Sequence, residues 1–351
     1  MKLTGLCIIC LCGALLLQGC GTYPRHGLDM AEVRKLESDI KRRTARLSPE
    51  QEEQILALDP NHLTAADVRT TLANAPAPRI IAIHGGFASV IRNMVSFAEF
   101  LVGMGYPDAS IKNASDGTYT FSPYEDSDLI AGVIAWYYER EGMRPMIVGH
   151  SQGGVQAVKV LRKLDSSASP SVAVWNPLTW QKEDREQITD PLTHQTRPVI
   201  DLTLPYVSAV GSGGVARMSP NQWGMLFVLR TIPDSVEEFT GFFKGPDLLG
   251  GDFLGYGSAN HYKANGRAVV RNIRLPWSYD HRSIPDTKHL LESKEIVDWI
   301  NGYEPTDQAP PEPKFEKDGR NILWAADVWY SIRKNWVIEL QRLIRSQRGS
   351  G

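Results

Sequence analysis

The chain has 351 residues and a formal net charge of −2, and 42% of its residues are hydrophobic. That length supports one large domain or two modest ones with a sizeable core, and the near-neutral charge removes any electrostatic case for nucleic acid as a global partner. There is no Cys/His cluster at metal-ligand spacing, no phosphate-cradling glycine loop with its lysine and no internal repeat, so neither a metal nor another cofactor is expected.

Residues 1–19 read as a targeting segment. Lys2 supplies a positive start, and Leu6 to Leu17 is an apolar run, short of the roughly 20 residues that a spanning helix needs. The run ends in Leu17-Gln18-Gly19-Cys20, which resembles the lipobox of bacterial lipoproteins. The resemblance implies cleavage before Cys20 and acylation of its sulfur. With Gly21 following in place of an aspartate, it also implies an outer-membrane location. Cys7, Cys10 and Cys12 lie in the leader, so the mature fold is expected to hold no disulfide and no thiol nucleophile.

Residues 20–75 read as a tether with helices. Ser48-Pro49-Glu50-Gln51 is a capping box with proline at the first helical position, and Thr64 with Asp67 starts a second short helix. From Arg79 the pattern changes. Arg79 to Ile83 is a short apolar run that predicts a buried strand, followed by His84-Gly85-Gly86. Helical spacing follows over Val90–Met104 and Asp126–Glu141. Pro145–Val148 predicts a strand, Val155–Leu164 a helix and Ser171–Trp175 a third strand. Alternating strands and helices imply a mostly parallel central sheet flanked by helices. Residues 177–235, rich in Thr, Pro, Gly and Trp with a helix over Gln222–Arg230, read as an insertion above the active site. Strands resume at Glu238–Phe243 and Ala268–Leu275, and a helix spans Leu290–Ile300. A proline-rich linker (304–319) then leads to an amphipathic helix in residues 320–351.

Gly149-His150-Ser151-Gln152-Gly153-Gly154 joins a predicted strand to a predicted helix. This is a nucleophile elbow: the tight turn raises the serine hydroxyl above the sheet, and glycines two positions either side avoid collision. Residues 76–303, with this elbow, resemble the α/β-hydrolase superfamily, and its lipases in particular. The resemblance implies an α/β-hydrolase fold and a serine esterase or lipase with Ser151 as nucleophile. It implies an oxyanion hole from the backbone N–H of Gln152 and that of Gly86 or Phe87. The base is a histidine after the last strand: His281 fits better than His289, which lies nearer the last helix, and His150 packs beside the site. The acid follows the preceding strand, with Asp247 favoured over Asp252. The implied substrate is a lipid or other acyl ester. An acyltransferase would use the same residues with an alcohol in place of water. A non-catalytic envelope lipoprotein keeping the fold is the competing class.

The C-terminal helix has two destinations. Ile322, Ala325, Trp329, Ile332, Trp336, Leu340 and Leu343 form one face, which either docks on the domain or lies in a membrane interface with its tryptophans. The lipid anchor has a direct test. Because the thioether needs sulfur, Cys20→Ser should abolish incorporation of a clickable fatty acid. Label that persists in the variant rules Cys20 out.

Overall fold

The computed structural model describes residues 27–43, 47–167, 170–213, 220–251, 260–308 and 310–349. The expected leader (1–19), Cys20 and Asp252 lie outside these residues. In chain order the elements are α1 (Met30–Arg43), α2 (Pro49–Leu56), α3 (Ala65–Arg69), β1 (Ile80–Ile83), α4 (Ser89–Gly103), α5 (Ser127–Glu141), β2 (Met146–His150), α6 (Gln152–Leu164), β3 (Leu204–Val210), β4 (Val236–Phe243), β5 (Val269–Arg274), α7 (Lys294–Asn301) and α8 (Ile322–Gly349).

Local chemistry sets many of these ends. Ser48 with Gln51 and Thr64 with Asp67 form reciprocal capping boxes at α2 and α3, satisfying N–H groups that a first helical turn leaves open. Asp126 caps α5, and Gly142 ends it in a left-handed conformation. Ser293 caps α7 through Ile296 N–H. It thereby splits the expected helix 290–300 into a 3-10 turn, Lys288–Glu292, and α7.

The five strands form one sheet in the order β1-β2-β3-β4-β5, with every neighbouring pair parallel. Side chains alternate between its faces. Ile80, Ala82, Met146, Val148, Tyr206 and Phe242 enter one core with α4, α7 and α8. Ile81, Ile83, Ile147, Val207, Ala209 and Phe239 enter the other, with α1, α5 and α6. The protein is thus a mixed α/β structure with a parallel sheet between two helical layers.

Four expectations need correction. Ser171–Trp175 is not a strand of the central sheet. Val172 and Val174 are buried while Ser171 is exposed, and Val174 exchanges backbone bonds with the 183–185 segment in a side hairpin. The central strand is β3, inside the segment expected to be an insertion, and all seven of its residues are buried. Pro205 hid it, because an interior proline argues against a central strand. Leu204 N–H donates toward β4, at Ser235 O, so the proline nitrogen faces β2. Pairing on that side starts only at Val207, and no ladder bond is lost. Residues 222–230 form a 3-10 turn over Pro220–Met225 and further turns instead of a helix.

The last correction concerns the ends of the chain. Residues 20–75 are expected to be a tether, and 304–319 a linker to a helix that either docks on the domain or lies in a membrane interface. Instead, Ile55, Val68 and Leu72 share a core with α8. Phe315 of the proline-rich segment packs edge-on against Trp299. Trp324, Trp329 and Trp336 are fully buried: Trp324 packs on Phe97 at 4.6 Å, and Trp336 meets Tyr106 at 4.9 Å and donates to Pro76 O. The tryptophan face is enclosed by protein. Among the described residues no helix is long and apolar enough to cross a membrane.

Charge also pins α8. Glu339, 1% exposed, accepts from Arg144 N–H (2.8 Å) and its guanidinium (2.6 Å). Burial opposes the Glu339 charge, but the hydrogen bond and charge of Arg144 outweigh it and hold the pKa below the usual 4.5. A depressed carboxylate stabilises the fold above its unfolded pKa and loses that contribution as pH falls through the folded one. Glu339→Gln should therefore destabilise by about 3 kcal/mol at pH 7, with the gap to the parent shrinking in acid. Urea denaturation at pH 7 and in acid checks this. An equal gap at both would mean that the ion pair contributes nothing through its charge.

Candidate active site

β2 ends at His150, and the chain turns directly into α6. The turn presses backbone on backbone. A Cβ at position 153 would stand 2.1 Å from Ile83 O, and one at 149 would stand 2.5 Å from Gly153 O, so only glycine fits either place. Between them Ser151 is held at φ 54°, ψ −118°, a sparsely populated conformation that costs on the order of 1–3 kcal/mol. Its N–H donates to Val210 O at the end of β3 (2.8 Å). Its hydroxyl stands at the start of α6, where the helix dipole favours negative charge.

The loop after β5 brings His281 over this hydroxyl, with Nε2 2.9 Å from Ser151 Oγ. The loop after β4 brings Asp247 behind it, with Oδ2 2.7 Å from His281 Nδ1. Gly250 N–H donates to the other Asp247 oxygen at 2.9 Å. Burial works against the Asp247 charge, but the hydrogen bond from His281, the His281 charge, the Gly250 N–H and Lys244 outweigh it. Its pKa lies below the usual 3.8. An ionised Asp247 only accepts, so His281 donates to it from Nδ1, and in the neutral imidazole of that tautomer Nε2 accepts from Ser151 Oγ. The three residues come from three loops at one edge of the sheet, with two further elements holding the histidine loop. Asn93 of α4 donates to Arg282 O (2.7 Å), and Asn321, just before α8, donates to Ser283 O (2.8 Å).

His150 is the residue whose role sequence reasoning missed. It is fully buried, and its Nε2 is 2.7 Å from the carbonyl oxygen of His281. Burial, together with the neighbouring His281, pushes its pKa down to about 3. It is therefore neutral at physiological pH and donates from Nε2 to that carbonyl. It positions the backbone of the histidine across the site. Its place one residue before the serine was visible in the sequence, but the carbonyl it reaches, 131 positions away, was not.

The N–H groups of Gln152, Gly86 and Phe87 have no protein acceptor among the described residues. Tyr124 Oη donates to Gly86 O (3.0 Å) and so fixes the peptide that carries the Phe87 N–H. The Gln152 side chain lies over Gly86, where its Oε1 would be 2.2 Å from an added Cβ. His289 stays apart in the 3-10 turn, 4.0 Å from Asp318. Asp252 lies outside the described residues.

No known family model matches this chain, and no curated protein does either.

Fluorophosphonate labelling of Ser151 reads the geometry directly. His281→Ala should abolish labelling, and His289→Ala should leave its rate unchanged. His150→Phe should slow it by about tenfold, because small misplacements of a catalytic group are costly. A wild-type rate in His150→Phe would remove His150 from any positioning role.

Proposed function

We propose that the chain folds as an α/β-hydrolase and works as a membrane-anchored serine hydrolase of carboxylic esters, with lipid or other acyl esters as its substrate class. The observation that carries this reading is the hydrogen-bonded run from Ser151 Oγ through His281 to Asp247, at 2.9 and 2.7 Å, on a strained turn at a helix start. A serine hydroxyl is a weak nucleophile, and a base at hydrogen-bond distance, itself oriented by a carboxylate, is the arrangement that activates it.

In this mechanism Ser151 Oγ attacks the ester carbonyl carbon while its proton passes to His281 Nε2. The carbonyl electron pair moves to oxygen. The N–H of Gln152, with that of Gly86 or Phe87, stabilises the oxyanion, each donor contributing about 3 kcal/mol. Collapse breaks the bond to the alcohol, which leaves with the proton from His281. Water then attacks the acyl-enzyme, giving its proton to His281, and Ser151 recovers it as the acid departs. Asp247 holds the imidazole tautomer and stabilises its cation throughout. Cys20 supplies the anchor in this reading.

Ser151→Ala tests it. Its hydroxyl fills no core, so the melting temperature should stay near that of the parent. Turnover of p-nitrophenyl esters should fall by about 10⁴-fold or more. Wild-type turnover in purified Ser151→Ala protein would end the proposal.

A further inference from the structure

We infer that a cavity between the end of α7, the 61–65 segment that leads into α3 and the middle of α8 is a binding site for a small monocarboxylate, whose charge is held by Arg333. The cavity has a volume of about 380 Å³, within the range of small-molecule sites. Leu63 and Tyr303, which line it, belong to the core that α8 shares with the sheet. The inference does not depend on the reading of Ser151.

The observation that carries it is a buried cation without a partner. Trp329 and Arg333 stand one turn apart on α8, so their side chains share a face. Trp329 Nε1 donates to Asn301 Oδ1 at the end of α7 (3.2 Å). Arg333 lines the cavity and is only 3% exposed. Its Nε and Nη1 are buried and have no hydrogen-bond partner among the described residues. Buried guanidinium groups are normally paired, because an uncompensated charge is costly to take out of water. Burial pushes the Arg333 pKa down to about 10, against the opposing pulls of Tyr330 and Asp67, so the group is still cationic at neutral pH. The Tyr330 ring centroid lies 5.6 Å from Arg333 Cζ and offers one weak contact.

The neighbouring polar groups are committed elsewhere. Asp67 Oδ2 accepts from Thr64 N–H (2.8 Å) and Oγ1 (2.7 Å) in the cap of α3. Asp298 pairs with Lys294. Tyr303 Oη donates to Asp327 (3.1 Å), and Tyr330 Oη to Asn61 O (3.1 Å). The protein thus builds the walls and leaves the guanidinium for an anion from outside. A carboxylate matches that planar group with two parallel N–H···O bonds. Leu63, Tyr303 and Arg333 are buried, whereas Asp298 and Glu304 are exposed, so the cation sits at the floor and two acidic side chains stand at the mouth. Like charges there disfavour a doubly charged phosphate. Leu63, Ala65 and Tyr303 offer apolar surface to the rest of the ligand. Together these residues select a single carboxylate on a short apolar body.

Titration calorimetry of the full-length protein with sodium butyrate, sodium benzoate and inorganic phosphate tests the assignment. At least one of the two carboxylates should bind, equally well to the parent and to Ser151→Ala, and phosphate should not compete. Arg333→Met should weaken binding by at least about thirtyfold, the usual loss when one partner of a buried charge pair is removed. Arg333→Lys keeps the charge without the planar group and should weaken it by about tenfold. At about ten times its dissociation constant the carboxylate should raise the melting temperature of the parent by about 2 °C. Arg333→Met without ligand should melt no lower than the parent, because it removes an unpaired buried charge. Affinity unchanged in Arg333→Met, or lost in Ser151→Ala, overturns the inference and places the carboxylate elsewhere. Binding of phosphate in place of either carboxylate overturns the ligand class. No binding of either carboxylate to the parent overturns the site itself, and a lower melting temperature in Arg333→Met would then assign the guanidinium to the fold. If Arg333→Met does not fold, Arg333→Lys carries the comparison, and unchanged affinity there overturns the inference as well.

Discussion

The site depends on one close approach. The backbone of Gly153 lies against the carbonyls of Ile83 and His84, closer than any side chain allows. That contact places the start of α6 directly over the end of β1. It brings the loop of Gly86 and Phe87 beside Ser151 and forces the serine into its strained conformation. The strain is sustained because the sheet holds both flanks: Ile83 pairs with Gly149, and Gly149 with Ala209. A turn this tight would relax without strands on either side.

The histidine loop is fixed by a different part of the molecule. Its backbone receives hydrogen bonds from His150, Asn93 and Asn321, and Leu323 N–H donates to Tyr279 Oη. Two of these donors belong to α8 or to the residue before it. The long C-terminal helix therefore does two things: it covers one face of the sheet with its tryptophans, and its first turn braces the loop that carries His281.

Much of this was legible in the sequence, for reasons that differ by element. The elbow was visible because its steric demands leave few residue choices. β1, β2 and β4 were visible as short apolar runs bounded by breakers. Ser151, His281 and Asp247 follow strand ends in the order that the resemblance implies, and the structure puts His281 within hydrogen-bond distance of both Ser151 and Asp247. β3 was obscured by Pro205, whose harmlessness depends on where β2 starts to pair. The stripe on α8 was legible as apolar, but periodicity does not say what covers a face. Glu339 and Arg144 would have helped only as a pair, and they are 195 positions apart.

That separation bears on how the protein comes into being. Gln341 donates to the carbonyl of Ile55 across 286 positions, and Arg348 reaches Glu52 across 296. Such non-local contacts form late and slow folding. Until residues 321–349 have been synthesised, one face of the sheet is covered only in part, by α4 and α7, and the loop of His281 lacks two of its braces. A chain in this condition has not yet closed one of its two cores. Closure of that core, and with it the fixing of the candidate site, therefore waits for α8.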